Sequence, residues 1–233
     1  MCFSAEASFV GGVLISIVGV ATIRKVHKPS QLVFASIPLF FGIQQIAEGF
    51  LWLTLPVPEY VTFQKLSTYI FLSMALVIWP TMIPLSVLFM EEVNKKKKIL
   101  WILSALGLVL SLYYTFCLIS FSVNPQIMKY HVQYNSEFPK SLALFIFATY
   151  LIVTITPLFI SSIKKVHLMG ILMFLSCCVT AIFFTQYLTS VWCFFAALIS
   201  GVVYWILRDS KIQFNFEKLY LLKEQFKIYK GNE

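Results

Sequence analysis

The chain has 233 residues, of which 59% are hydrophobic and only 12% are charged. Soluble globular proteins are about 25% charged, so this composition excludes an ordinary cytosolic enzyme, a disordered chain and a nucleic-acid-binding protein. Five cysteines are too few for a disulfide scaffold. The formal net charge of +8 comes from short basic blocks between long apolar runs. That pattern is typical of membrane proteins, whose basic blocks contact anionic lipid headgroups.

Seven segments of the chain can cross a membrane. A spanning helix needs about 20 mostly apolar residues, and continuous apolar runs favour helices over the strands of a membrane barrel. The segments run from Ala5 to Ile23, Leu32 to Leu55, Leu66 to Met90, Ile99 to Phe121, Ser141 to Ser162, Leu168 to Gln186 and Thr189 to Leu207. The sequence therefore predicts an all-α, polytopic bundle of seven transmembrane helices at residues 1–208, in a multi-pass protein of the cell membrane.

The distribution of Lys and Arg predicts the orientation of this bundle. Fifteen of the 18 basic residues lie in the first, third and fifth connections and in the C-terminal tail, and they include the run from Lys95 to Lys98. Cytoplasmic segments of membrane proteins carry the excess of basic residues. The N-terminus is therefore predicted to lie outside and the C-terminus in the cytoplasm.

The tail, residues 209–233, is too polar to span a membrane. Its aromatic residues and lysines recur at roughly helical spacing, as at Phe216, Tyr220 and Lys223. This pattern predicts a basic amphipathic helix on the cytoplasmic leaflet. A short soluble helix that docks on the bundle is the alternative.

Polar side chains are concentrated towards the outer ends of the spans. They include Gln44, Gln45, Glu48 and Trp52 of the second span, Tyr134 of the connection after the fourth, and Ser190 and Cys193 of the seventh. Gln44 and Glu48 are four residues apart and share a helix face. A strongly polar group within a span is costly and usually faces the bundle interior or a water-filled cavity. This set is therefore the candidate ligand-binding site.

The one-sided distribution predicts a polar pocket that opens to the outer side. The long connection from Asn124 to Lys140 would close it, and the pocket would bind or transport a small polar ligand or an ion. Hydrogen bonding between helices and an interfacial aromatic belt are the alternative explanation. That alternative accounts poorly for Glu48, because a buried carboxylate needs a partner or a raised pKa.

Cys2 and His131 suggest a second hypothesis. Removal of Met1 would leave the Cys2 thiol beside a free amine, and a thiol becomes a nucleophile or metal ligand when its pKa is lowered. The protein would then be a membrane-embedded, metal- or thiol-dependent enzyme at the outer leaflet, with Cys2 and His131 as catalytic residues. Cys2, Glu48 and His131 offer ligands that suit zinc, although no closely spaced ligand motif is present. Two other roles are consistent with the positions of these cysteines. Cys2 and Cys193 could form a disulfide, or either thiol could simply pack among apolar side chains.

The opening Met1-Cys2-Phe3-Ser4-Ala5 resembles a family of uncharacterised bacterial seven-helix membrane proteins that begin in this way. The resemblance continues through Gln44-Gln45, Glu48-Gly49 with Trp52, Trp79-Pro80, His131 with Tyr134, and Ser190-Val191-Trp192-Cys193-Phe194. It covers the spans and omits the tail. It implies a seven-helix fold in the bacterial inner membrane rather than a reaction, and its motifs contain the same outer-half residues.

Overall fold

The computed structural model describes residues 4–128, 131–139 and 141–208. In this part of the chain, seven helical segments are long and apolar enough to cross a membrane, which confirms the predicted number. We call them spans 1 to 7, and they are Ala5–Ile23, Pro29–Thr54, Pro58–Met90, Asn94–Ser120, Ala143–Ile160, Lys164–Phe183 and Leu188–Arg208. Cys2 and the predicted amphipathic tail, residues 209–233, lie outside the described residues.

Most predicted boundaries agree with the structure to within a few residues, but spans 3 and 4 begin earlier than predicted. Span 3 begins at Pro58 rather than Leu66, and span 4 at Asn94 rather than Ile99. The prediction started each span after its last charged residue. The helices instead continue through Lys65 and through the lysines at 95–98, because long basic side chains can extend to the headgroup region from a helix end.

Span 3 is an irregular helix. It consists of a 3-10 turn at Pro58–Tyr60, an α-helix at Val61–Leu72, a π-helical segment at Ser73–Ile78 and a second α-helix at Trp79–Met90. Pro80 has no N–H to donate, so carbonyl groups of the preceding turn can accept from other donors. The Tyr150 hydroxyl donates to the Ala75 carbonyl at 2.5 Å. The Ser111 hydroxyl donates to the Val77 carbonyl at 2.5 Å. The π-helical segment thereby binds span 3 to spans 4 and 5.

Glycines allow the backbones of neighbouring spans to touch. A Cβ atom at Gly19 of span 1 would lie 2.5 Å from the backbone nitrogen of Leu39 in span 2. A Cβ atom at Gly107 of span 4 would overlap the carbonyl oxygen of Pro80 in span 3. Small residues are common at such contacts, because helices in lipid associate through close packing and hydrogen bonds rather than through the hydrophobic effect.

The connection between spans 4 and 5 is a β-hairpin. Strand β1, Val123–Met128, pairs antiparallel with strand β2, His131–Ser136. The long connection predicted from Asn124 to Lys140 thus contains a two-stranded sheet, which corrects the prediction of an all-α fold. Proline is typical of loops, yet Pro125 lies in strand β1 opposite Tyr134. The outer edge of a two-stranded sheet has no neighbouring strand, so a residue without an N–H is tolerated there.

The two ends of the bundle differ in character. We call the end that carries the hairpin the hairpin end, and the opposite end, with connections 24–28, 91–93 and 161–163, the basic end. The main apolar core extends along the bundle and receives side chains from every span. A smaller cluster at the hairpin end joins Ala47, Phe71, Leu118 and Cys193 to the hairpin residues Val123 and Tyr134. The hairpin is thus packed onto the bundle.

The basic end is held together by Glu91, which is only 4% exposed. Its Oε2 accepts the backbone N–H of Ser162 at 2.7 Å, and its Oε1 accepts the Ser162 hydroxyl at 2.7 Å. Oε1 also accepts the backbone N–H groups of Glu92 and Val93 at 3.0 Å each. Burial acts to raise the pKa of Glu91, but these hydrogen bonds outweigh it and hold the pKa below its ordinary value. Sequence analysis assigned Glu91 no role, because it lies in a connection.

We expect Glu91→Gln to lower the free energy of unfolding by about 2 kcal/mol at pH 7. The amide nitrogen cannot accept, and hydrogen bonds to a charged group are worth about 1.5–3 kcal/mol. Because the pKa of Glu91 is lowered in the folded protein, its stabilisation is present above the unfolded-state pKa and is lost as the pH falls through the folded-state pKa. Unfolding in detergent from neutral to acidic pH should therefore show wild type and variant converging.

Glu92→Gln is the matched control for this comparison. The side chain of Glu92 is 80% exposed and pairs with Lys28 at 3.3 Å. Exposed ion pairs contribute little to stability, so this variant should unfold nearly like wild type. Equal losses in the two variants would contradict the role given to Glu91.

Candidate functional site

Three adjacent polar side chains of span 2 lie in the interior of the bundle. Gln44, Gln45 and Glu48 are each 0% exposed. The neighbouring spans exclude both water and lipid from them, so each polar atom depends on the protein for its hydrogen bonds. Two of the three side chains contact span 7, and the third makes no hydrogen bond to a described residue.

Gln44 joins spans 2, 3 and 7. Its Oε1 accepts the indole N–H of Trp79 at 2.9 Å. Its Nε2 donates to the Cys193 sulfur at 3.2 Å and lies 3.4 Å from the carbonyl oxygen of Phe71. The Trp79 ring stacks on Phe41 with centroids 3.9 Å apart. Both ends of the carboxamide are therefore used, and Gln44 acts as a structural joint.

Glu48 contacts span 7 nearer the hairpin end. The Ser190 hydroxyl donates to Oε1 of Glu48 at 2.5 Å, and both residues are 0% exposed. Spans 2 and 7 are antiparallel, so Glu48 faces Ser190 while Gln44, one turn deeper, faces Cys193. The contact between Glu48 and Ser190 is shorter than the 3.2 Å contact between Gln44 and Cys193, and together the two contacts join span 2 to span 7.

A second group of polar atoms is buried without a hydrogen-bond partner among the described residues. It comprises both carboxamide atoms of Gln45, the indole nitrogens of Trp52 and Trp192, and the hydroxyl of Ser8. An unsatisfied buried donor or acceptor costs about 1–3 kcal/mol, so each such group calls for an explanation. Gln45 and Trp52 are seven residues apart, two helical turns, and lie on one face of span 2.

The hairpin covers this part of the bundle. The Tyr134 ring stacks on Phe71, with centroids 4.9 Å apart and planes inclined by 10°. The Phe71 carbonyl is the one that Gln44 approaches. Phe138, just after β2, packs against the same apolar cluster. The connection that was predicted to close the pocket is thus a structured hairpin packed on the bundle, and the closing of a pocket stays a prediction.

His131 anchors the hairpin to the beginning of span 7. It is 8% exposed, and its ring centroid lies 4.7 Å from that of Tyr187 and 5.2 Å from that of Phe184. Burial lowers the pKa of His131, which favours the neutral ring near neutral pH. Tyr187 precedes Ser190 by three residues, so His131 and Glu48 both contact the segment where span 7 begins.

The structure brings together most of the predicted ligand-binding residues. Gln44 and Glu48 contact Cys193 and Ser190 directly, and Tyr134 and Gln44 both contact Phe71, the first through its ring and the second through its carbonyl. The side chains of the predicted residues in spans 2 and 7 are buried inside the bundle, except for Trp52, which is half-buried like Tyr134 of the hairpin. Gln45 and Trp52 lie on the same span, but no described residue bonds to their buried polar atoms.

The metal and thiol hypothesis depends on Cys2, which lies outside the described residues. Cys193 is a free thiol, so the structure does not contain the disulfide considered for it. Within residues 4–128, 131–139 and 141–208, no three His, Cys, Asp or Glu side chains are grouped closely enough to hold a metal ion. The zinc set of Cys2, Glu48 and His131 therefore stays a prediction.

One partner of the site, Trp79, was not predicted. Trp79 stood in a resemblance motif, but it was not recognised as the donor to Gln44. A tryptophan within a span needs an acceptor for its indole N–H. This requirement could have identified Trp79 as a hydrogen-bond partner of one of the buried polar residues. The burial of the Ser8 hydroxyl without a partner among the described residues was not predicted either, because a serine in an apolar run is indistinguishable from ordinary packing.

Comparison with known proteins identifies a family but no activity. The model of DUF6629, described as a family of unknown function, matches residues 1–215. The match includes all seven spans and the hairpin. No curated protein and no solved structure matches the chain significantly.

The two adjacent glutamines should respond oppositely to the same substitution. Gln44→Met leaves the buried Trp79 N–H without an acceptor, so we expect a loss of about 1–3 kcal/mol in the free energy of unfolding. Gln45→Met removes a carboxamide that no described residue satisfies, so the ligand-free variant should be as stable as wild type or more stable. Thermal unfolding in detergent measures both, and each variant is the control for the other. A comparable loss in Gln45→Met would contradict the contrast between them.

Proposed function

This chain belongs to DUF6629, a family of unknown function, and we propose that it is a membrane protein that binds a small polar ligand at the hairpin end of its bundle. One observation carries the proposal. The fully buried carboxamide of Gln45 has no hydrogen-bond partner among the described residues, and it lies one turn from the buried carboxylate of Glu48. A ligand that satisfied Gln45 would recover the cost of burying it.

The chemistry of the buried atoms indicates the class of ligand. Gln45 offers a donor and an acceptor, and the indole nitrogen of Trp52, on the same face of span 2, is a donor only. Glu48 adds an acceptor that is already aligned by Ser190. This combination suits a small molecule that carries both donors and acceptors, and it offers little to a purely apolar compound.

The irregular part of span 3 supports a functional role for this region. The π-helical segment Ser73–Ile78 directly follows Phe71 and Leu72 of the cluster beneath the hairpin. Single π-helical turns within α-helices occur frequently at functional sites. A ligand would enter by displacement of the hairpin, and release on the opposite side would make the protein a transporter.

Native mass spectrometry of protein released gently from the membrane tests this proposal. We expect wild type to carry the added mass of a small molecule. Gln45→Met should lose that mass, because the carboxamide no longer binds the ligand. Glu48→Gln should lose it as well, while its remaining carbonyl oxygen still accepts from Ser190 and preserves the fold.

The matched control is Ser104→Ala. Ser104 is also buried, but its hydroxyl donates to the Leu100 carbonyl within span 4. This variant should keep the added mass. An unmodified wild-type mass, or the same added mass in all variants, would contradict the proposal. If wild type instead carries the mass of one metal ion, and His131→Ala loses that mass, the result would favour the membrane-embedded enzyme.

We also infer that the hairpin end faces the outside of the cell. The excess of Lys and Arg at the basic end supports this orientation. In intact cells, Asn135→Cys should react with a membrane-impermeant maleimide, because Asn135 is exposed on β2. Lys95→Cys at the basic end should react only after lysis. The unsubstituted protein gives the background from its own cysteines, and the reverse labelling pattern would invert the topology.

A further inference from the structure

A groove lies on the outer surface of span 1, away from the buried polar site. It encloses about 380 Å³ and is lined by Val13, Ile17, Val20 and Ala21, with Ile46 of span 2 at its side and Arg24 at its basic end. Its apolar walls are open to the surroundings, since Val13 is 51% and Ile17 60% exposed. Ser16 also lines it, but the Ser16 hydroxyl lies against Gly42. The groove is thus an apolar channel that ends at a cation.

The length of the groove matches half of a membrane. Val13 and Arg24 are eleven residues apart, which corresponds to about 16 Å along a helix. The hydrocarbon core of a bilayer is about 30 Å thick, so the groove extends from one headgroup region to about the middle of the membrane. An extended acyl chain of one leaflet covers the same depth.

The basic end of the groove suits an anionic headgroup. Arg24 is exposed, and no described carboxylate forms an ion pair with it. Lys25 beside it is also exposed, whereas Lys28 pairs with Glu92 at 3.3 Å. A guanidinium binds phosphate oxygens through two parallel hydrogen bonds. Arg24 in the groove and Lys25 next to it in the sequence form no ion pair with a described carboxylate, and this local positive charge favours a lipid with a net negative charge over a zwitterionic one.

We propose that this groove is a binding site for one anionic phospholipid, with an acyl chain along span 1 and the phosphate on Arg24. The site does not depend on the function proposed above, and it holds for either orientation of the bundle. Ala21 is essential to it, because a larger side chain at this position would fill the space next to Arg24.

The test is a titration of delipidated protein in neutral detergent, followed by native mass spectrometry. The probes are phosphatidylglycerol and phosphatidylcholine with identical acyl chains. Wild type should bind the first phosphatidylglycerol more tightly than the first phosphatidylcholine. Arg24→Gln should weaken phosphatidylglycerol binding about fivefold, since one basic residue near an anionic surface contributes about 1 kcal/mol. Ala21→Leu should weaken it while Arg24 is intact.

Two control variants distinguish a defined site from general effects of charge and surface. Lys164→Gln removes an exposed charge at the same end, and Ala105→Leu enlarges an exposed residue of span 4 outside the groove. Neither should change the affinity for phosphatidylglycerol. Equal weakening by Arg24→Gln and Lys164→Gln, no effect of Ala21→Leu, or equal binding of the two lipids would overturn the proposal. Unchanged unfolding temperatures would show that the four variants are folded.

Discussion

The absence of water in the membrane interior is the constraint on which this structure depends. A polar group in that environment must find its partner within the protein, and span 2 carries three such groups within five residues. Gln44 meets the requirement through Trp79 of span 3 and Cys193 of span 7, and Glu48 meets it through Ser190. These contacts determine which faces of the three spans come together. Apolar packing alone would give several rotations of each helix about its axis a similar free energy, because an apolar side chain is as well solvated by lipid as by other apolar side chains.

The two adjacent glutamines of span 2 differ in how they meet this constraint. Gln44 uses both ends of its carboxamide, whereas Gln45 has no partner among the described residues although it is equally buried. An apolar residue at position 45 would avoid this cost, and stabilising replacements of that kind are commonly available where function does not oppose them. The cost is therefore the strongest physical reason to place a binding function at this part of span 2.

The seven spans and the burial of the polar face of span 2 could be predicted from the sequence, because both follow from patterns within single segments. Apolar length defined seven spans, and helical periodicity grouped Gln44 with Glu48. Pairing across spans could not be predicted, since nothing in one helix specifies that Ser190 rather than another hydroxyl meets Glu48. The hairpin was missed because prolines such as Pro125 are typical of loops, and the prediction that Tyr134 binds a ligand gave no indication that it pairs with Pro125. Glu91 was missed because its role arises from contact with Ser162, 71 residues away.

The two ends of the bundle differ in how their polar groups are satisfied. At the basic end, Glu91 fixes two connections through four directional hydrogen bonds. A carboxylate that accepts several hydrogen bonds permits little movement without loss of bonds. At the hairpin end, the rings of Tyr134 and His131 contact Phe71 and Tyr187. This is also the end at which Gln45 and Trp52 have buried polar atoms with no hydrogen-bond partner among the described residues. Because an unsatisfied buried group costs free energy that a bound partner could return, a ligand has more to offer at the hairpin end than at the basic end, where the buried carboxylate is already satisfied.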